Sequence, residues 1–391
     1  MRITHVITRL VIGGAQENTV ATVLGLRKKS GVQVRLISGP TTGSEGSLES
    51  SFANFAELLT IAPDLVRPVH PWKDFRALLE LTQALRSEYP DIVHTHSGKA
   101  GILGRLAAKR AGVPIIIHHI HGPSFGPFQG RLANAVFTAA EKMAAKTTTH
   151  FVCSANAMTR LYLAAGIGRP EMYTRVLSGF RIEPFLESQN DPAFRSKFGL
   201  PKNAFIIGKI GRLAPLKGHA DLFRAFQALL PQVPEARLLV IGDGPLRNEL
   251  ENQARTLGIR DKILFIGLVQ PSEVARYVGI LDCLAHLSHR EALSRALPQA
   301  LAAAKPVIAY DFDGADEVCL HGETGFLVKT GYVSAVTRHL LELARDPTLR
   351  ERLGRRGQQL VKDEFPVEKM IEQLYQLYQR LLSAQSRPDS I

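Results

Sequence analysis

Residues able to do chemistry cluster in a few short stretches of this 391-residue chain. Residues 288–306 read Ser-His-Arg-Glu-Ala-Leu-Ser-Arg-Ala-Leu-Pro-Gln-Ala-Leu-Ala-Ala-Ala-Lys-Pro. Glu291 falls in an expected loop after a strand, where a carboxylate can accept hydrogen bonds from the hydroxyls of a ligand. A helix is expected to begin a few residues later. Free backbone N–H groups around Leu293 and Ser294 can then hold a phosphate, with Gln299 near the first turns. Read alone, Glu291 serves equally well as an ordinary exposed loop acid.

A second stretch is Gly211-Arg212-Leu213 followed by Lys217-Gly218. Arg212 is placed at the end of an expected strand and Lys217 in the loop beyond it. Two cations fixed there can clamp a diphosphate and neutralise charge on a leaving group. Solvated loop cations are the plain alternative. A third stretch, Ile12-Gly13-Gly14-Ala15-Gln16, follows the first strand and opens a helix. Gly13 and Gly14 let backbone approach a ligand, and a helix N-terminus offers N–H groups to an anion, although such glycines also punctuate ordinary turns.

Histidines form the fourth group. His94 and His96 end one expected strand; His118, His119 and His121 end the next, ahead of Gly122-Pro123. Strand alternation puts His119 and His121 on one face and His118 on the other. No carboxylate or cysteine accompanies them in sequence, so a polar contact with a ligand is favoured over a metal site, and no metal is expected.

These residues need strand ends to stand on. Strands are expected at Ile3–Thr8, Val34–Ser38, Asp91–His96, Pro114–His121 and His150–Ser154, with helices at Trp72–Ser87 and Gly101–Ala111. The pattern restarts with strands at Ala204–Arg212, Ala236–Gly242, Ile263–Gly267, Leu281–Leu287 and Pro306–Tyr310. Helices are expected at Leu222–Leu230, Leu246–Leu257 and Leu297–Ala304. Such alternation implies parallel sheets covered by helices on both faces. The expected fold class is therefore α/β, with two Rossmann-like doubly wound domains facing across a cleft and ligands at the carboxyl ends of the strands. Residues 1–185 would form the first domain and 195–366 the second. The stretch Glu187–Gly199 reads as a linker and residues 183–200 as a hinge. In the segment 367–391, Ile371, Leu374, Tyr375, Tyr378, Leu381 and Leu382 make one apolar helical face, which must pack on something already folded. The tail after Ala384 is polar and expected to be disordered.

Composition narrows the class. The three cysteines, Cys153, Cys283 and Cys319, are sparse and lack metal-ligand spacing, which points to a reducing compartment. No secretory leader and no run of about 18 apolar residues is apparent, so the cytoplasm is the expected location. Of the net charge of +12, residues 1–190 carry +8. Arg105, Lys109, Arg110, Arg131, Lys142 and Lys146 lie in expected helices of that half. They suggest peripheral contact with an anionic membrane at its inner face, although a basic chain is often no more than that. No basic segment interleaved with aromatics supports nucleic-acid binding.

Together these motifs resemble the retaining glycosyltransferase family 4, whose fold is called GT-B. The resemblance runs through Gly13-Gly14-Ala15, Ile117–Gly122 with His121, Gly211 through Gly218, Gly242-Asp243-Gly244-Pro245 and Phe265-Ile266-Gly267. It continues through Asp313-Gly314-Ala315 to Glu317, Gly322 and Thr324–Val328. It implies a nucleotide-sugar donor, UDP- or GDP-linked, held by the second domain, and a glycan or lipid-linked acceptor held by the first. Arg212 and Lys217 would bind the diphosphate, Glu291 the sugar hydroxyls, and His121 would orient the sugar. Gly14, Leu293, Ser294 and Gln299 would also contact the donor. The last helix would cross back, so that residues 367–391 complete the first domain, and no cofactor is implied. The chain departs from the family at Gln299, where a ribose-binding glutamate is usual, and at Ala292, where glycine is common. A nucleotide-sugar isomerase or epimerase of the same fold and a weakened, non-catalytic scaffold are the alternatives. A nicotinamide oxidoreductase is disfavoured, because the first loop lacks a complete Gly-x-Gly-x-x-Gly.

Overall fold

A computed structural model describes residues 1–42 and 46–385. Contacts divide the chain into two units, one formed by Met1–Phe180 and the segment from Val367, the other by Arg181–Pro366. The expected disorder after Ala384 concerns residues that, beyond Gln385, lie outside this description.

The first unit is built on seven parallel strands: β1 (Arg2–Ile7), β2 (Gln33–Ser38), β3 (Leu59–Ile61), β4 (Ile92–His96), β5 (Ile115–Ile120), β6 (His150–Cys153) and β7 (Tyr173–Arg175), in the order β3-β2-β1-β4-β5-β6-β7. The second holds six: β8 (Ile206–Ile210), β9 (Arg237–Ile241), β10 (Ile263–Gly267), β11 (Cys283–His286), β12 (Val307–Asp311) and β13 (Gly325–Lys329), in the order β10-β9-β8-β11-β12-β13. Strand order reverses between β1 and β4 in the first sheet and between β8 and β11 in the second. A crevice opens at such a switch point, beyond the carboxyl ends of the strands. The stretches with Gly13-Gly14, Gly211–Gly218 and Glu291 follow β1, β8 and β11, and the grouped histidines lie at the ends of β4 and β5.

The central strands are buried on both faces, which explains their near-continuous apolar runs, such as Ile115-Ile116-Ile117 and Leu238-Leu239-Val240. The sequence pattern missed β3, β7 and β13. The first two are three-residue edge strands, too short to show a period. The expected linker also differs, because Pro192–Lys197 is helical. Asp191 caps it through Oδ1, accepting from the N–H groups of Ala193 and Phe194 at 2.9 and 3.1 Å. Asp-Pro reads as a turn, but Asp at the N-cap and Pro at the first helical position begin a helix just as well.

The helix Val367–Gln385 buries Val367, Met370, Ile371, Leu374, Leu377 and Tyr378 in the core of the first unit. Their spacing lays one stripe against the helix Gly14–Leu26. The contact is close at Gly25, where an added Cβ would stand 2.1 Å from Ile371 Cδ1. Each such buried aliphatic side chain contributes about 1.5–3 kcal/mol, so the segment is an integral part of that unit's core. No described helix is long and apolar enough to cross a membrane.

Candidate active site

The loops after β8 and β11 meet in the second unit. Gly218 has a φ of +70°, and a Cβ there would lie 1.8 Å from the Leu287 carbonyl oxygen, so only glycine lets the two loops come this close. The His289 N–H donates to the Leu216 carbonyl at 2.8 Å. Asp221 ties the loops from beneath, accepting from Tyr310 Oη at 2.9 Å and contacting His289 Nε2 at 3.0 Å.

Glu291 stands at the centre. Its Oε2 lies 2.9 Å from Lys217 Nζ, 3.1 Å from His286 Nε2 and 3.3 Å from Ser288 Oγ. Its backbone N–H donates to Asp313 Oδ2 at 2.8 Å. Burial alone would raise the Glu291 carboxyl. The His286 hydrogen bond and the Lys217 charge outweigh it and hold the group well below the usual carboxylate range. Burial lowers His286 to about 4, so its ring is neutral at pH 7. It then donates from Nε2 to the carboxylate, leaving Nδ1 to accept from Ser294 Oγ at 3.5 Å. Glu291, Ala292, Leu293 and Ser294 line a cavity with His286, Ser288, Leu297, Tyr310, Phe312 and Ala315.

Two residues beside this centre carry strained backbones. Leu216 and Asp313 have φ of 65° and 51°, in the left-handed region that costs a non-glycine residue about 1–2 kcal/mol. They flank Lys217 and receive the Glu291 N–H, so the strain sits where side-chain placement matters. Ala292 is not among the described residues with positive φ, and alanine carries no backbone penalty there. Arg212 is exposed in the turn after β8, because that strand stops at Ile210 rather than running on to Arg212. Gln299 lies within the helix Ala296–Ala302, partly exposed and not among the cavity-lining residues.

Three members of this cluster were not singled out from the sequence. Lys209, on β8, is fully buried and its Nζ has no hydrogen-bond partner. Burial lowers it to about 7, with Lys217 adding to the effect and Glu291 opposing it. His219 is lowered to about 3 by burial and by the charges of Lys209 and Lys217, and its Nε2 is also without a partner. His286 completes the set. A lysine inside a strand normally reads as a solvent-facing residue. Only the order β9-β8-β11 puts Lys209 in the middle of a sheet.

In the first unit the histidines stack on one face of the sheet. His5 pairs in register with His94, and His96 with His119. His121 follows β5, and its ring centroid is 3.9 Å from that of His119. His118 turns to the other face, against Thr95 Oγ1 at 3.0 Å. His5 was invisible as a partner in the sequence, since nothing marks β1 and β4 as neighbours. Burial lowers His5 and His121 to about 3 and pushes His94, His96 and His119 well below the ordinary value. The sets His5, His94, His96 and His96, His119, His121 each bring ring nitrogens close enough to hold a metal ion. Gly14, the first residue of the helix Gly14–Leu26, is exposed after β1.

Arg105 requires a correction. It is fully buried, and its Nη2 donates to Glu141 Oε2 at 2.6 Å. Helical spacing alone could not tell that it turns toward Glu141 and away from the basic surface.

Comparison with known proteins gives the same outline. The family described as glycosyl transferases group 1 matches residues 190–360, and the glycosyl transferase 4-like domain matches residues 13–176. The UDP-Gal:alpha-D-GlcNAc-diphosphoundecaprenol alpha-1,3-galactosyltransferase of Escherichia coli is 27% identical over 81% of this chain and 82% of its own. The capsular polysaccharide biosynthesis glycosyltransferase CapM of Staphylococcus aureus is 25% identical over 91% and 92%. Among solved structures, Anabaena Alr3699/HepE in complex with UDP and glucose aligns over 98% of this chain and 100% of its own, with a TM-score of 0.82 and 21% identity. That last likeness is one of fold.

Proposed function

Because the chain belongs to the GT-B glycosyltransferases of the family 4 type, we propose that it moves a sugar from a nucleotide diphosphate donor to an acceptor in glycan or glycolipid synthesis. Transfer proceeds with retention at the anomeric carbon and without a metal ion. The observation that carries this reading is the contact of Lys217, His286 and Ser288 with the Glu291 carboxylate at the switch point of the second sheet.

Each residue has a role that follows from its chemistry. Glu291 is ionised and acceptor-only, so its free lone pairs suit sugar hydroxyls. Lys217 has three donors and uses one on Glu291, leaving the others for the diphosphate. Arg212 adds a second cation, and the N–H groups at Leu293 and Ser294 take a phosphate oxygen. Gly14 lets the first loop approach the donor, and His121 orients its sugar. Gln299 meets the ribose through a neutral amide. In the chemical step the bond from the anomeric carbon to the phosphate oxygen breaks and the acceptor oxygen bonds on the same face. The acceptor's proton passes to the departing phosphate oxygen. The protein contributes positioning and fixed charge.

The acceptor side is read from the surface of the first unit. Leu132, Val136 and Met143 are exposed on the helix Arg131–Ala145, with Phe128 just before it. Arg131, Lys142 and Lys146 are exposed beside them, while Glu141 is buried against Arg105. An apolar face flanked by cations alone suits an anionic membrane, where a lipid-linked acceptor is found. On this reading the enzyme works in the cytoplasm, peripheral at the inner membrane face.

A panel of UDP- and GDP-sugars screened by thermal stabilisation identifies the donor. With that donor, product should form only when acceptor is present, keep the donor's anomeric configuration and survive EDTA. Conversion of the donor alone would make the chain an isomerase. Activity abolished by EDTA and restored by a divalent ion would return the histidines to the role of ligands. Sedimentation should show binding to anionic vesicles and not to neutral ones, and equal binding would remove the membrane role.

A further inference from the structure

The stacked histidines contain a continuous hydrogen-bonded chain. His5 Nδ1 lies 2.8 Å from His96 Nε2, and His96 Nδ1 lies 2.9 Å from His121 Nε2. His5 and His96 are completely buried, and all three rings are neutral at pH 7. A neutral imidazole has one N–H and one lone pair. Two bonds in series therefore allow only two consistent arrangements, because any other sets two N–H groups or two lone pairs face to face.

The two arrangements differ at the inner end. In one, every Nδ1 carries the proton and each ring donates toward His121, which leaves a bare lone pair at His5 Nε2. In the other, every Nε2 carries the proton and the chain runs inward, which leaves an N–H at His5 Nε2. That nitrogen is buried and has no partner. A buried N–H without an acceptor is rarer and costlier than an unused lone pair, so the outward arrangement wins. His94 takes no part in the chain: its Nδ1 is engaged by Tyr378 Oη at 2.5 Å, and its Nε2 makes no hydrogen bond.

We propose that His5 and His96 are positioning residues that hold His121 in the Nδ1–H tautomer, so that His121 meets the donor sugar as a hydrogen-bond donor and not as a base. The proposal rests on the reading of His121 as a sugar contact. Its physical content is separate from that reading: the Nε2 of His121 is occupied as an acceptor, and the nitrogen left outside the chain carries a proton. A metal held by these rings would need their lone pairs, two of which are engaged within the chain.

Solid-state nitrogen-15 spectra of the full chain labelled at histidine test the tautomer, with the His121 signals assigned by their loss in His121→Phe. The wild type should show Nδ1 protonated and Nε2 bare at pH 7. His96→Asn places an amide N–H near the position of Nδ1 and should keep that signature and the wild-type rate. His96→Leu removes the donor, frees His121 to take the Nε2–H form, and should lower kcat about tenfold with little change in donor KM, the size of one hydrogen bond. A protonated Nε2 on His121 in the wild type, Nδ1–H persisting in His96→Leu, or one equivalent of metal bound by the rings would each overturn the lock. Unchanged transfer by His121→Phe, with the tautomer as expected, would overturn the sugar contact instead, so the two failures are distinct.

Discussion

Both sheets bury polar side chains at their switch points, and they stabilise them by opposite means. In the first unit His5, His94, His96, His119 and His121 are kept neutral by burial and stack on one another, with His5, His96 and His121 also bonded through ring nitrogens. In the second unit Lys217 and Glu291 stay charged and face each other at 2.9 Å, with neutral His286 as a third partner. The same topology thus supports a proton-bearing scaffold in one place and a charge-bearing one in the other. A nucleotide diphosphate brings concentrated negative charge, so the charged cluster is the one suited to its phosphates. The neutral stack can orient a sugar without repelling or neutralising anything.

The largest expected effect is a difference in acid stability. Every stacked histidine has a folded value below the unfolded value of about 6.5. Its contribution is complete above pH 6.5 and is lost as pH falls toward the folded value, which is about 3 for His5 and His121. Each ring costs up to about 1.4 kcal/mol per pH unit in that window, and the stack as a set several times that. Glu291 is also depressed, but its stabilisation is lost only below the ordinary carboxylate range. In the second unit His219 and His286 lose stability in the same window, but they are two rings against the five of the stack, and Lys209, lowered to about 7, penalises the folded state at a constant level below that pH. Pulse-labelling hydrogen exchange after incubation between pH 6.5 and 4 should therefore find the first unit opening before the second. Simultaneous opening would erase the contrast.

Next in size is Glu141→Ala. It strands the fully buried Arg105 guanidinium and should destabilise the first unit by about 3–5 kcal/mol in denaturant unfolding. A loss below about 1 kcal/mol would mean the pair is solvated and the first unit less intolerant of charge than its histidines indicate.

The contrast also marks what is legible in the chain. The alternation of strands and helices is readable, because central parallel strands are short apolar runs. Lys217 and Glu291 stand out because they follow strands in loops, and the structure puts them in contact. His5, Lys209 and His286 do not stand out. Each sits within a strand, and what makes it polar-buried rather than exposed is the neighbour strand, which alternation cannot name. Leu216 carries no signal of a left-handed backbone either, since a leucine in a loop normally avoids one. Ala292 shows the reverse: a concern raised by a missing glycine vanishes once its φ is known to be ordinary.

Smaller effects probe the edge of the charged cluster. If Gln299 faces the ribose as proposed, Gln299→Glu should tighten donor binding by at most about tenfold, because a charge-assisted bond would replace a neutral one. It should change donor affinity more than turnover, since ribose contacts are alike in ground and transition states. Calorimetric titration decides it, and unchanged or weaker binding would take Gln299 off the ribose. Leu216→Gly should be smaller still. It relieves a φ of 65° but adds chain entropy to the unfolded state, so stability should rise by less than about 1 kcal/mol. A clear loss in urea unfolding would show that the leucine side chain, rather than its backbone, holds the Lys217 loop.

The most direct measurement is the single-turnover transfer rate of Lys217→Ala beside the wild type, with the donor that most stabilises the protein at saturating concentration. If the charged cluster neutralises the departing diphosphate, removing Lys217 takes away a contact that strengthens in the transition state, and the rate should fall about 10²–10³-fold. Circular dichroism should report an unchanged fold, since Lys217 is a partly exposed loop residue. A rate within about twofold of the wild type, a difference of under about 0.5 kcal/mol in barrier, would contradict the assignment of this cluster as the donor site.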